Sequence, residues 1–230
     1  MKRSVLDALQ AARAAHRPAA LVTALDGGRQ ALIDGATVIG DLPVDARLRA
    51  AVECALREDR SGVIEGTDIE EAGAAGVFIH VFNPPLRMIV VGAVHIAQAL
   101  VPMARLVGYE VIVVDPRRAW ATEDRFPDVT LDTGWPDEAL YRLAPDRRTA
   151  VVTLTHDPKL DDPALIAALR SPAFYIAALG SPRTHAKRLS RLREAGLDEA
   201  ALARIHGPAG LDIGARSPAE IALSILAEAT

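Results

Sequence analysis

The chain is poor in several residue types, and each shortage excludes something. It has one cysteine, Cys54, in 230 residues. A single thiol cannot close an intramolecular disulfide, so a reducing compartment is expected. Aromatic residues make up only 4% of the chain. The core must therefore rest on Ala, Val, Leu and Ile, which suits helices packed on a parallel sheet. No run of about 18 apolar residues occurs, so no membrane-spanning helix and no membrane partner are expected. Met1-Lys2-Arg3-Ser4 leads to Asp7 without an apolar stretch, and no signal peptide is read there. A cytoplasmic location is the resulting expectation. Excess positive charge is also lacking: 26 Lys and Arg against 30 Asp and Glu give a net charge of −4. Such a chain is a poor general binder of nucleic acid, and none is expected as a partner. No grouping of His, Cys, Asp and Glu has metal-ligand spacing, so no metal held by protein ligands alone is expected.

What is present divides in two at Asn83-Pro84-Pro85. Residues 1–83 read as a small α+β unit. A helix is predicted over Ser4–His16 and a strand over Ala19–Leu25. Gln30–Ile33 and Ala36–Ile39 flank Asp34-Gly35, a hairpin signal. A second helix is predicted over Val44–Glu58 and a strand over Gly76–Phe82. Residues 84–230 then alternate strand and helix. Strands are predicted at Leu86–Val91, Val111–Val114, Ala150–Leu154 and Phe174–Leu179. Helices are predicted at Ile96–Val107, Pro163–Leu169, Thr184–Glu194 and Ala219–Glu228. Pro102 is expected to kink the first of these. Ser217-Pro218-Ala219-Glu220 is a capping box that starts the last. The fold class is α/β: a Rossmann-like parallel sheet in the second domain, preceded by the small α+β domain.

Ligands of such sheets sit beyond the carboxyl ends of the strands. That rule selects four turns. The first, Gly92-Ala93-Val94-His95-Ile96-Ala97, resembles a Gly-x-Gly-x-x-Gly/Ala fingerprint with Val94 at the second glycine. A β-branched side chain there is expected to obstruct a pyrophosphate. Asp115, 23 residues after Gly92, stands near the spacing of a ribose-binding carboxylate, with Arg117 beside it. Thr155-His156-Asp157-Pro158 offers a His-Asp pair for proton transfer or ligand binding. Gly180-Ser181-Pro182-Arg183-Thr184 opens a helix with a natural cap and backbone N–H groups suited to an anion. Arg183 and Lys187 share a face, and the other basic residues of this helix read as a solvated surface. A glycine-rich stretch from Gly207 to Gly214, with Gly210 and Asp212, reads either as a connector or as a loop over the ligand cleft. Every one of these turns also has a reading as plain structure: a tight turn, a capped helix, a histidine that bonds a neighbouring loop.

Taken together, these segments resemble the XdhC/CoxI family of xanthine dehydrogenase accessory proteins. The matching stretches are Pro84-Pro85-Leu86-Arg87, Val91-Gly92-Ala93 with His95, Asp115-Pro116-Arg117, Phe126-Pro127, Thr155-His156-Asp157 through Asp161-Asp162, and Tyr175 to Ser181. Arg183-Thr184 and Ile205 through Gly214 into Pro218-Ala219-Glu220-Ile221-Ala222 complete the set. The resemblance implies a molybdenum cofactor (molybdopterin) chaperone, not a turnover enzyme. It implies delivery of the cofactor to a molybdenum hydroxylase of the xanthine dehydrogenase type, with a cysteine desulfurase as a second partner. The metal would be held by the pterin. The cofactor-binding residues it implies are Gly92, Ala93, Val94, His95, Asp115, Arg117, His156, Asp157, Gly180, Ser181, Arg183, Thr184, Gly210 and Asp212.

The chain departs from the family pattern in places. Val94 replaces a glycine, Ala177 stands where a glycine is usual, and Ala209 replaces a larger apolar residue. In the first domain, Leu21-Val22-Thr23 is not followed by the usual Gly-Ser-x-Pro-Arg and Gly-Gly-Cys segments, and Cys54 does not match the latter. That domain reads as a shortened dimerisation or docking unit, and a homo-oligomer is expected. Two rival functions remain open on these residues. One is an NAD(P)-dependent oxidoreductase that uses Asp115 and His156. The other is an interaction module that has kept the fold and lost the ligand.

Overall fold

The computed structural model describes residues 1–65 and 76–230. The chain forms two compact units, Met1–Pro84 and Pro85–Thr230. The division falls between two adjacent prolines. Neither helix nor strand continues easily through such a pair, because proline offers no N–H and restricts the residue before it.

In the first unit the described strands form one antiparallel sheet. They are β1 (Ala19–Ala24), β2 (Gln30–Asp34), β3 (Thr37–Gly40), β4 (Gly62–Ile64) and β5 (Val77–Phe82), in the order β3-β2-β1-β5-β4. The hairpin turn at Asp34-Gly35 sets β2 against β3 in the register Ile33↔Val38. Helix α1 (Arg3–Ala14) buries Val5, Leu9 and Ala12 against Ala19, Leu21 and Leu32. Helix α2 (Ala46–Glu58) buries Leu48 and Val52 against Ala20, Val22, Ile33 and Ile79. Alternate residues of β1 thus serve opposite faces, as the two-residue repeat of a strand requires.

In the second unit the strands are β6 (Arg87–Val91), β7 (Glu110–Val114), β8 (Thr130–Asp132), β9 (Thr149–Thr153), β10 (Tyr175–Ala178) and β11 (Ile205–His206). All pairs are parallel and the order is β11-β10-β9-β6-β7-β8. Counted within the unit this strand order is that of a Rossmann sheet, with the chain reversing direction of travel between β8 and β9. Helices α3 (His95–Leu106) and α8 (Pro218–Ala229) cover one face, with Met88, Val90, Val113 and Val152 beneath them. Helices α4 (Pro136–Leu143), α5 (Pro158–Leu169) and α6 (Pro182–Glu194) accompany the other, with Ile89, Val91, Val114 and Val151 beneath. A four-residue α7 (Glu199–Leu202) precedes β11.

Several elements differ from the sequence reading. Helix α5 starts five residues earlier than predicted, at Pro158, because Asp157 caps it and proline is at home in a first turn. Its second proline, Pro163, lies within the helix. Helix α3 is helical on both sides of Pro102, which sits on the exposed side. Strand β8 and helix α4 lie in a stretch to which the periodicity assigned nothing. No helix among the described residues is long and apolar enough to cross a membrane.

Candidate functional site

Because the six strands run parallel, the turns that follow β6, β7, β9 and β10 emerge at one edge. The strand order reverses between β6 and β9, and a crevice opens at that point in doubly wound sheets.

The turn after β6 is held tightly. The Gly92 N–H donates to the Val114 carbonyl at 2.8 Å. Gly92 has φ +111°, and a Cβ there would meet the Thr155 methyl at 2.6 Å. Glycine is needed so that the β6 and β9 turns can close on one another. The Ala93 N–H donates to Asp115 Oδ2 at 2.8 Å. Val94 is extended, with φ −90°, and no side chain caps α3. Its side chain is partly buried against the core of this unit, not wholly directed into the turn. The backbone N–H groups of Val94, His95, Ile96 and Ala97 find no acceptor among the described residues. His95, the first residue of α3, is exposed. An uncapped helix start with four free donors attracts an anion through those donors and the helix dipole.

Asp115, after β7, is fully buried. Its Oδ1 accepts from the Arg117 backbone N–H and Nε, both at 2.9 Å. Its Oδ2 accepts from Ala93 and from Arg117 Nη2 at 2.7 Å. Four bonds fill a carboxylate. A ribose hydroxyl could bind Asp115 only by displacing Arg117, which removes the main support for the dinucleotide alternative. Burial pushes the Asp115 carboxyl up, but Arg117 and the two amides hold it below the usual carboxylate range. Arg117 in turn lies 5.2 Å from the ring centre of Trp120, as does Arg125. Trp120 is 38% exposed. Beside it Arg125, Gln98, Arg105 and Phe126 line a cavity of about 260 Å³.

After β9, His156 is exposed and adopts φ +61°. Left-handed backbone is uncommon for a non-glycine residue, although histidine tolerates it better than most. Asp157 accepts the Lys159 N–H at 2.9 Å and so caps α5. The cap reading of Asp157 is therefore realised, and one of its oxygens is committed. Thr155 donates its hydroxyl to Asp161 Oδ1 at 2.6 Å. Asp161 is buried, and burial raises its carboxyl above the usual range; Thr155 and Arg188 offset this only in part.

After β10, Gly180 has φ +149°, and a Cβ would press on Thr184 at 3.1 Å. Ser181 Oγ accepts the Thr184 N–H at 3.1 Å, the expected cap. Arg183 is exposed. Arg188, read from sequence as part of a solvated surface, is instead 2% exposed and lies 3.8 Å from Asp161. Its Nη2 donates to the Leu179 carbonyl at 2.7 Å, while Nε and Nη1 have no partner. Burial lowers the hold of Arg188 on its proton, and Asp161 opposes this. Burial and the neighbouring Arg188 push the His185 imidazole below its usual range.

The last predicted group divides. Gly210 lies against α8: its N–H donates to Glu228 Oε2 at 2.9 Å, and a side chain there would collide with Ser224. Glu228 also accepts the Tyr175 hydroxyl at 2.6 Å. Gly210 therefore belongs to the anchorage of α8. Asp212 is exposed. The loop touches the edge through Ala209, whose N–H donates to the Ala178 carbonyl at 3.1 Å. Residues that sequence reasoning missed are Trp120, Arg125, Asp161 and Arg188.

Known proteins resemble this chain over the same region. The model of the XdhC Rossmann domain family matches residues 88–229. The molybdenum cofactor insertion chaperone PaoD of Escherichia coli strain K12 is 33% identical over 147 residues, 64% of this chain and 40% of PaoD. A protein of Bacillus subtilis strain 168, described as a probable xanthine dehydrogenase subunit, is 33% identical over 153 residues, 66% of this chain and 44% of that protein. The chain thus matches less than half the length of these curated relatives. A crystal structure described as a xanthine dehydrogenase of Bacillus halodurans superposes with a TM-score of 0.73 at 25% identity, covering 97% of this chain and 62% of that one.

Proposed function

The chain belongs to the XdhC family by its Rossmann domain, and on that premise we propose that it is a maturation factor that binds the molybdenum cofactor as cargo. Its client is a molybdenum hydroxylase of the xanthine dehydrogenase type, with a cysteine desulfurase as second partner. The observation that carries the reading is the carboxyl edge at the strand-order reversal. There, uncapped N–H donors of α3, the cation Arg117 and two exposed histidines sit on turns of one sheet. This composition suits a flat ligand with an anionic tail and a metal-bearing end. The metal belongs to the pterin, so no cluster of protein ligands is required. The start of α3 or of α6 takes the phosphate. Arg117, fixed by Asp115, and Arg183 supply charge. His95 and His156 face the molybdenum end. In this reading residues 1–84 serve for docking or self-association, and the working form is a homo-oligomer.

Anaerobic titration of the full chain with extracted cofactor tests the binding. The expected result is saturable binding that weakens about tenfold in a His95→Ala/His156→Ala variant, the scale of two lost polar contacts. Absence of binding overturns the cargo role, and undiminished binding by the variant overturns this placement of the histidines. Delivery is read separately, as activation of a cofactor-free hydroxylase by the loaded chain.

A further inference from the structure

Two cations stand near the start of α6, and they differ in what surrounds them. Arg183 is in solvent, where water and salt weaken its field. Arg188 is buried, two of its three nitrogens have no partner, and its counter-charge Asp161 stands 3.8 Å away without a hydrogen bond to it. Asp161 Oδ2 is itself without a partner. A buried guanidinium left so incompletely paired is costly, and its field in a poorly polarisable interior reaches farther than that of a solvated one. It is placed directly beneath the turn: Nη2 holds the Leu179 carbonyl and lies 3.7 Å from where a Gly180 Cβ would be. Above it, the N–H groups of Gly180, Ser181 and Arg183 have no acceptor among the described residues.

We propose that Arg188 is the positioning cation of an anion subsite at Gly180–Arg183, where the free amides touch a phosphate or similar oxyanion and the buried charge beneath the turn supports it through its field. Arg183, in solvent, adds a smaller, screened share of the charge. This deepens the cargo reading above, on which it rests for the identity of the natural ligand, but its probe is inorganic phosphate. Asp161 opposes the bound anion, so the two partners of one buried pair affect binding in opposite directions.

The test is calorimetric titration of the full chain with inorganic phosphate, followed by titration with the extracted cofactor. Arg188→Met is expected to weaken phosphate binding about tenfold and Arg188→Lys to restore most of it; Asp161→Asn is expected to tighten it about threefold, and Arg183→Ala to change it less than about threefold. Asparagine still accepts the Thr155 hydroxyl, so that variant isolates the charge. If Arg188→Met does not fold, the Asp161→Asn/Arg188→Met double variant, which leaves no buried charge, takes its place, with an expected loss of about tenfold relative to Asp161→Asn and about threefold relative to the parent. Absence of phosphate binding overturns the inference. So does binding blind to Arg188 and Asp161, which places the anion elsewhere, as at α3. Cofactor that fails to bind while the phosphate pattern holds overturns the cargo reading and leaves the subsite standing. The converse result keeps the cargo reading and removes the subsite.

Discussion

Asp115 and Asp161 are two buried carboxylates at the same edge of the same sheet, one on each side of the strand-order reversal. Asp115 accepts four hydrogen bonds and faces a guanidinium at 2.7 Å. Asp161 accepts from Thr155 alone and faces its guanidinium at 3.8 Å. The first pair is closed and ties the β6 turn to the β7 turn. The second is open, with unused donors and acceptors on both partners. A completed pair is chiefly architecture, because a ligand of its carboxylate must break it. An incomplete one leaves electrostatic work that a ligand can do.

The largest effect should come from opening the closed pair. Asp115→Asn turns one acceptor into a donor facing the donors of Ala93 or Arg117, and leaves Arg117 without its counter-charge. A loss of about 3 kcal/mol is expected, in line with breaking a buried pair from one side. Denaturant midpoints measure it. The matching change on the other side, Asp161→Asn, relieves a poorly paired buried carboxylate but leaves buried Arg188 without its counter-charge, so a smaller loss than that of Asp115→Asn is expected. Equal losses for the two variants would erase the distinction.

Acidity sharpens the same contrast. The Asp115 carboxyl is held below its ordinary range, so its contribution is present above the unfolded-state value and is lost as pH falls through the lower folded one. The Asp161 carboxyl is raised, so ionising it works against the fold: the cost is full above that raised value and is gone below the unfolded-state one. The deficit of Asp115→Asn relative to the parent should therefore be full at neutral pH and close on acidification. Asp161→Asn should move the opposite way, losing ground to the parent on acidification as the parent sheds the cost of its ionised carboxyl. Midpoints recorded from neutral pH down to the acid limb check both.

Gly92 links the two halves of the comparison, since its turn is tied to Asp115 through Ala93 and pressed against Thr155. Gly92→Ala places a methyl at 2.6 Å from the Thr155 side chain in a backbone of φ +111°. A cost of about 2 kcal/mol is expected from strain of this kind. An unchanged thermal midpoint would mean that the turns can part without penalty.

Much of this edge could be read in the sequence, and the reasons are local. Runs such as Met88-Ile89-Val90-Val91 and Ala150-Val151-Val152 announce strands buried on both faces. Glycine at 92 and the Ser181 and Ser217 caps mark where strands end and helices start. The family membership rested on short motifs spread over the second unit. What escaped was the content of irregular stretches and the fate of charges. Strand β8 has three residues and β11 two, too short for a periodicity. Helix α4 had a signal in Pro136-Asp137-Glu138, an acidic first turn behind a proline. Arg188 was misread because arginines on a basic helix usually face water. The clue was its spacing: it stands four residues before Leu192 on the only stripe that α6 buries. Gly210 entered the ligand set through the family resemblance, glycine density having left its loop open, and its packing against α8 could not be read from the sequence.

The smallest expected effects belong to the caps that frame the open pair. Thr155 gives Asp161 its hydrogen bonds, whereas Asp157 gives α5 its cap, and the two residues are separated only by His156 in its left-handed conformation. Asp157→Ala removes one acceptor from an exposed helix start and should cost about 1 kcal/mol. Thr155→Val removes the hydroxyl from a buried carboxylate that has no other side-chain donor, and should cost slightly more, about 1.5 kcal/mol. Their sum matters more than either value. The Asp157 cap and the Thr155–Asp161 bond both fix the backbone that carries His156, so the double variant should lose more than the two single losses together. Strict additivity in a double-mutant cycle would show that His156 keeps its conformation for reasons outside this turn.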